Sequence, residues 1–263
     1  MTRLRLSANL GFLWAELPLL ERIKRAAGAG FKAIELHWPY DTAATDVREV
    51  CQTHGLTLLS INTPQGDTVQ GDAGLAAQVG REKAFQAVFM ETLAWAQASG
   101  ASMIHVLPGM ANKSDPAAAR QTFIHNLQWA ADQAAPAGMT LLLEALNPRD
   151  KPGYFYHSVL SADGIRQDCA RENIKLMFDV YHVGVTEGDI LTKLRQLMPM
   201  IGHIQIAAVP SRAEPDEGEV RYEAIFDELR ALDYQGFVGL EYKPRGDVSE
   251  GLAWVERMGL SLR

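Results

Sequence analysis

Glu144, Asp179, Gln205 and Glu241 each fall inside or at the end of a short apolar run, in the segments LLLEAL, LMFDVY, HIQIAA and GLEYKP. Runs of that kind are where buried strands stop. Charged side chains are almost never buried without a partner, so three carboxylates on four strand-like segments call for a compensating cation. At an effective dielectric of about 20, two like charges roughly 4 Å apart repel by about 4 kcal/mol, and a shared divalent ion removes that repulsion. With Gln205 bound through its amide carbonyl the donor set is all oxygen, which favours Mg²⁺ or Mn²⁺ over zinc.

Further groups surround this set in sequence. His182 follows Asp179 by three residues, Arg212 lies in the loop after HIQIAA, and Arg81 closes a long irregular segment. A guanidinium matches a carboxylate through two parallel hydrogen bonds, so an Arg near such a pocket points to an acidic substrate. Glu35 and His37 end the second strand-like run and His105 lies in the fourth, placing all three within reach of the same cavity. Trp14 and Trp38 follow the first two runs and are candidates to wall it. Lys243 and Arg245, in YKPRG, are weaker candidates for substrate contact.

These residues need a frame that brings distant segments together. Hydrophobic period and turn punctuation give eight rounds of a strand signal followed by a helix signal, with strands expected at 4–9, 33–37, 57–62, 103–107, 140–145, 175–179, 203–207 and 237–241. In LPLLERIKRAAGAG, residues Leu19, Leu20, Ile23, Ala26 and Ala27 keep helical spacing, and Gly28 and Gly30 supply the stop. Longer helices are expected over 80–99 and 116–137, the second capped by Ser114 or Asp115 ahead of Pro116. Near-continuous apolar strands such as MTLLLEA suit a parallel sheet covered by helices. The expectation is an α/β chain forming a single (β/α)8 TIM barrel over residues 1–263, with Glu144, Asp179, Gln205 and Glu241 at the carboxyl ends of strands five to eight, where barrels of this kind build their sites. A doubly wound dinucleotide-binding sheet is the lesser alternative, since no GxGxxG follows the first strand. The longest irregular segment, 63–79, would follow the third strand on the same face.

The balance of the chain narrows its partners. With 32 acidic against 25 basic side chains it carries a formal charge of -7, which argues against a broad surface for nucleic acid or anionic membrane. No segment approaches 18 uninterrupted apolar residues, and the start has no export pattern, so the chain reads as cytoplasmic. Cys51 and Cys169 belong to no metal or redox spacing and read as plain thiols. The expected partner is a small molecule, with homo-oligomer formation left open.

Taken together, SANLGFL, ELHWPYD, VGREKAF, LLLEALN, MFDVYH, HIQIAAVPSR, EPDEGEVRY and GLEYKPRG resemble the hydroxypyruvate isomerase family and the closely similar 2-oxo-tetronate isomerases, within the xylose isomerase-like barrel superfamily. The resemblance runs over residues 6–254. It implies a metal-dependent interconversion of a hydroxy-ketone and its hydroxy-aldehyde partner on a small acid. It further implies Glu144 and Glu241 as paired catalytic glutamates and, with Asp179 and Gln205, as metal ligands, while His182 and Arg212 match substrate-contacting positions of related sugar epimerases. Ala208, Val209 and Val79 depart from the residues common in relatives, which bears on substrate more than on reaction type. Rival readings are a 2-oxo-tetronate isomerase, a ketose 3-epimerase, an apurinic-site endonuclease-like hydrolase, and a non-catalytic sugar-acid binder. The endonuclease would be expected to show a basic groove and several more metal-ligand histidines.

Overall fold

A computed structural model describes residues 3–262. Nine strand segments, β1 (Arg5–Asn9), β2 (Ala33–Glu35), β3 (Thr57–Leu58), β4 (Ser60–Asn62), β5 (Met103–His105), β6 (Thr140–Glu144), β7 (Ile174–Asp179), β8 (Ile201–Ile206) and β9 (Phe237–Leu240), form one sheet in the order β3-β2-β1-β9-β8-β7-β6-β5-β4. Every ladder is parallel. β3 and β4 are two halves of the strand expected at 57–62, parted at Leu59. The Leu59 N–H donates to Ile34 O, and its carbonyl accepts from the Ser102 and Met103 N–H groups. The two ends of the order are therefore one strand, and the sheet curls round into the expected barrel.

Helices cover the outside: α1 (Leu19–Ala29), α2 (Ala44–His54), α3 (Glu82–Ser99), α4 (Pro116–Ala134), α5 (Val159–Cys169), α6 (Val180–Thr186), α7 (Ile190–Leu197), α8 (Tyr222–Ala231), α9 (Val248–Gly251) and α10 (Ala253–Arg257). Asp115 caps α4 through a bond from Ala118 N, with Pro116 in the first turn where its missing N–H costs nothing. That helix stops at Ala134 rather than at 137, because the last three residues tighten into a 3₁₀ turn around Pro136. Apolar faces pack inward; Phe85 and Phe89 of α3 meet Trp129 of α4 at 6.4 and 5.9 Å between ring centroids. Trp14 is buried against Phe31 and is a packing residue, not a pocket wall.

Strand register sets up the site. Asp179 pairs with Gln205, Gln205 with Gly239, and Gly239 with Ser7, so four adjacent strands contribute to one row. Gly239 has no side chain, and a Cβ built there would stand 2.2 Å from Glu35 Oε1. The carboxylate of Glu35, from two strands away, fills that space.

Candidate functional site

Each of the four expected metal-capable residues owes its place to a strand end. Glu144 and Asp179 are the last residues of β6 and β7, Gln205 is the fifth of β8's six, and Glu241 follows β9 directly. All four are at least 94 % buried. One donor atom from each of Glu144, Asp179, His182 and Glu241 lies within 4.8 Å of the others, and Gln205 joins the group through Nε2, 3.2 Å from Glu241 Oε1.

The oxygens divide into used and unused ones. Asp179 Oδ1 caps α6 by accepting from Tyr181 N at 2.7 Å, which leaves Oδ2 without a donor. Gln205 donates through Nε2 to Glu35 Oε2 at 2.9 Å and to Glu241, which leaves its Oε1 buried without a donor. Glu144 Oε1 is likewise unpaired. Three orphaned buried oxygens, on Glu144, Asp179 and Gln205, beside the carboxylate of Glu241 are the donor set that a hard divalent cation satisfies. The residues therefore fit the metal that the sequence calls for.

The three carboxylates are held in different states. Burial, then the charges of Glu241 and Asp179, push Glu144 well above the ordinary carboxylate range, and burial followed by Glu241 raises Asp179. Burial would raise Glu241 as well, but the His37 hydrogen bond and the Arg212 charge outweigh it and hold this carboxyl low. Its Oε1 accepts from Asn9 Nδ2 at 2.9 Å and lies 3.0 Å from His37 Nε2; its Oε2 accepts from Arg212 Nη2 at 2.9 Å. Gly11 makes the His37 approach feasible, since a Cβ there would stand 2.2 Å from His37 Nδ1.

His182 is a donor rather than a ligand. Its Nδ1 accepts from the Asn147 backbone N–H at 3.0 Å, so in the neutral ring the proton is on Nε2. Burial keeps the ring neutral, lowering its pKa to about 3, followed by repulsion from Arg212. Nε2 has no partner and stands 3.6 Å from Asp179 Oδ2 and 3.7 Å from Glu144 Oε1. His105 is also neutral, lowered to about 4 by burial, with Nδ1 3.4 Å from Glu144 Oε2.

A cavity of about 270 Å³ opens above this set, walled by Phe12, Trp38, Asp150, Lys151, Tyr154 and Arg212 among others, with His105, Glu144, His182 and Glu241 also on its lining. Arg212 adopts a left-handed backbone (φ 57°). Its guanidinium is held between the rings of Phe12 and Tyr181, with Nη1 3.2 Å from Asp150 Oδ2. The loop that carries it is fastened from outside by Arg245, whose Nε donates to the buried Glu214 while its Nη atoms reach Asp216 and Glu217.

Three expected substrate contacts sit elsewhere. Arg81 is off the cavity wall because its Nη1 is bonded to Asp72 Oδ1 at 2.6 Å, tying the 63–79 segment together. Lys243 is exposed and also absent from the lining. Glu35 lies inside the barrel, where Oε1 accepts from Ser7 Oγ at 2.6 Å and Oε2 accepts from Gln205; His203 Nε2 stands 3.0 Å from Oε1, off the hydrogen-bonding direction. Burial would raise this carboxyl, but His203, Ser7 and Gln205 together hold it below the ordinary range. Sequence reasoning missed Ser7, Asn9, Asn147, Asp150, Lys151, Tyr154 and His203. Strand alternation was the available signal for three of them, since Ser7 and Asn9 share one face of β1 and His203 shares the face of Gln205.

Residues 23–258 match the family model described as Xylose isomerase-like TIM barrel. The chain is 40 % identical over 253 residues to the 2-oxo-tetronate isomerase of Cupriavidus necator, covering 96 % of this chain and 97 % of the relative. It is 34 % identical over 254 residues to the hydroxypyruvate isomerase of Escherichia coli, covering 96 % and 98 %. A crystal structure described as AP endonuclease, family 2, from Brucella melitensis superposes with a TM-score of 0.93 at 40 % identity, covering 96 % of this chain and 98 % of that one.

Proposed function

The chain belongs to the xylose isomerase-like TIM barrel family and is an isomerase; on that footing we propose that it interconverts hydroxypyruvate and tartronate semialdehyde with a divalent cation, Mg²⁺ or Mn²⁺, held by Glu144, Asp179, Gln205 and Glu241. The observation that carries this reading is the set of three orphaned buried oxygens on Glu144, Asp179 and Gln205, with the carboxylate of Glu241 alongside. The cation, when bound, supplies Lewis acidity toward negative charge developing on substrate oxygens.

The protein's own groups account for the proton movements. One of the paired glutamates takes a proton from the hydroxymethyl carbon, and the C–H electron pair becomes the carbon–carbon double bond of an enediolate. Return of a proton to the neighbouring carbon, by the same or the other glutamate, together with transfer of the hydroxyl proton to the former ketone oxygen, turns the hydroxymethyl carbon into an aldehyde and the ketone carbon into a secondary alcohol. The two carboxyls titrate as a pair, so the roles of acid and base belong to both. In this scheme His182 Nε2–H donates to a substrate oxygen, a role supported by its lack of a protein partner and by a neutral state that suits a donor. Positioned proton transfer of this type contributes about 10² to 10⁴-fold.

The four-carbon acid of a 2-oxo-tetronate isomerase is the second reading, favoured by the name of the relative from Cupriavidus necator. An endonuclease reading has less support: the candidate ligand cluster contains one histidine, here acting as a donor, and the chain is acidic overall. The test is an NMR assay in D₂O with hydroxypyruvate and 2-oxo-tetronate, each with Mg²⁺ or Mn²⁺. Interconversion with deuterium gained at the reacting carbons is expected. No interconversion of either acid with either ion overturns the reading.

A further inference from the structure

The loop after β6 presents two polar groups to the cavity that the proton-transfer scheme leaves unused. Lys151 and Arg212 are the two permanently charged cations on the lining. Arg212 is already committed, with Nη1 on Asp150 and Nη2 on Glu241. The ammonium of Lys151 has no hydrogen-bond or ion-pair partner among the described residues. Beside it in the same loop, Tyr154 is 2 % exposed, lines the cavity, and its hydroxyl has no hydrogen-bond partner among the described residues. A buried hydroxyl without a partner is uncommon in folded proteins, and of those here Tyr154 is the one on the cavity lining, where a ligand atom can reach it.

The loop is built to hold these two groups still. Asn147 Oδ1 accepts from Asp150 N, and Asn147 O accepts from Lys151 N. Tyr154 N donates to Lys151 O, and Phe155 N donates to Gly109 O. A small keto acid whose reacting carbons sit beside Glu144 and Glu241 must keep its own carboxylate away from those like charges. It needs a cation that is not already neutralised, together with a neutral donor. We propose that Lys151 and Tyr154 form the seat for the substrate's carboxylate and so select an acid over a neutral sugar, an inference that rests on the keto-acid reading above.

The test measures binding of D-glycerate, a hydroxy acid lacking the carbonyl, by isothermal titration, alongside KM for hydroxypyruvate. Wild type is compared with Lys151→Met, Lys151→Arg and Tyr154→Phe. A hydrogen bond to a charged group contributes a factor of roughly 10 to 100 in affinity. Lys151→Met is expected to raise both the D-glycerate Kd and the KM by at least tenfold and to lose the salt dependence of binding. Lys151→Arg should recover most of the affinity, and Tyr154→Phe should cost several-fold. If wild type turns over hydroxypyruvate but Lys151→Met keeps Kd and KM within twofold, the carboxylate seat is overturned while the keto-acid reading stands. If wild type neither binds D-glycerate nor turns over hydroxypyruvate or 2-oxo-tetronate, both are overturned.

Discussion

Removing the carboxylate of Glu35 separates a role in the barrel interior from a role at the substrate. Glu35 touches no part of the cavity, yet it receives Ser7 Oγ at 2.6 Å and Gln205 Nε2 at 2.9 Å, with His203 Nε2 3.0 Å away. In Glu35→Ala these donors face an apolar void. Breaking a buried, charge-assisted arrangement from one side costs about 3 to 5 kcal/mol. With a urea m-value of about 3 kcal/mol/M, the unfolding midpoint should fall by about 1 to 1.7 M. A second consequence follows from the amide: without Glu35, Gln205 loses one of the two carboxylates that hold its Nε2 and leave its Oε1 free for the proposed cation. Loss of such an outer partner typically weakens metal binding by about 10- to 100-fold, which titration of the metal-free protein with Mn²⁺ would show. Glu35→Gln is the control. The Ser7 hydroxyl can turn to accept from the new amide, and the remaining oxygen still faces Gln205, so its cost should be only about 1 kcal/mol with metal affinity nearly kept. A Glu35→Ala protein with an unchanged urea midpoint and an unchanged Mn²⁺ affinity refutes this account of the buried network.

Glu144→Gln and Glu241→Gln should each lower turnover by at least about 10³-fold while the proteins still melt cooperatively, as followed by circular dichroism; near-normal activity in either would remove the paired-carboxylate scheme. Exhaustive chelation should abolish turnover, and restoring Mg²⁺ or Mn²⁺ at about 100 times its Kd should add about 2.7 kcal/mol of stability, read as a rise in Tm. Asp216 makes an acid-side prediction. Burial would raise its carboxyl, but hydrogen bonds from Arg257 and Arg245 outweigh that and hold it below the ordinary value. Its contribution is therefore complete above the ordinary aspartate pKa and is lost as the pH falls through the depressed one, so Asp216→Asn should destabilise the protein at pH 7 and make little difference near pH 2 in urea melts.

The fold and the central cluster were legible because both rest on period. Apolar runs at regular spacing announce eight strands, and a carboxylate at the end of such a run has few reasons to be there. Asp179 and His182 could be read together because they lie three residues apart, and Asp179 does cap α6, which carries His182. What stayed hidden depends on which side chains find each other across the chain. Arg81 looked like a substrate contact because nothing local shows that Asp72 will take its guanidinium. Glu35 looked like a pocket residue because its carboxylate enters space that exists only through an absence at position 239. Lys151 belongs to no motif or spacing that would single it out, and only the folded loop, with its bonds among Asn147, Asp150 and Tyr154, puts it on the cavity lining.

Gly239 gives this barrel an unusual point of vulnerability. It holds no proton, ligand or charge, yet the smallest possible side chain there would collide with the Glu35 carboxylate and force it to shift. A mutation to alanine at that site would thus be felt at a distance, as disorder in the amide of Gln205, in a protein whose every chemically active group remained intact. Loss-of-function screens read by chemistry alone would overlook it, and redesign of the pocket for other substrates must treat that empty position as fixed.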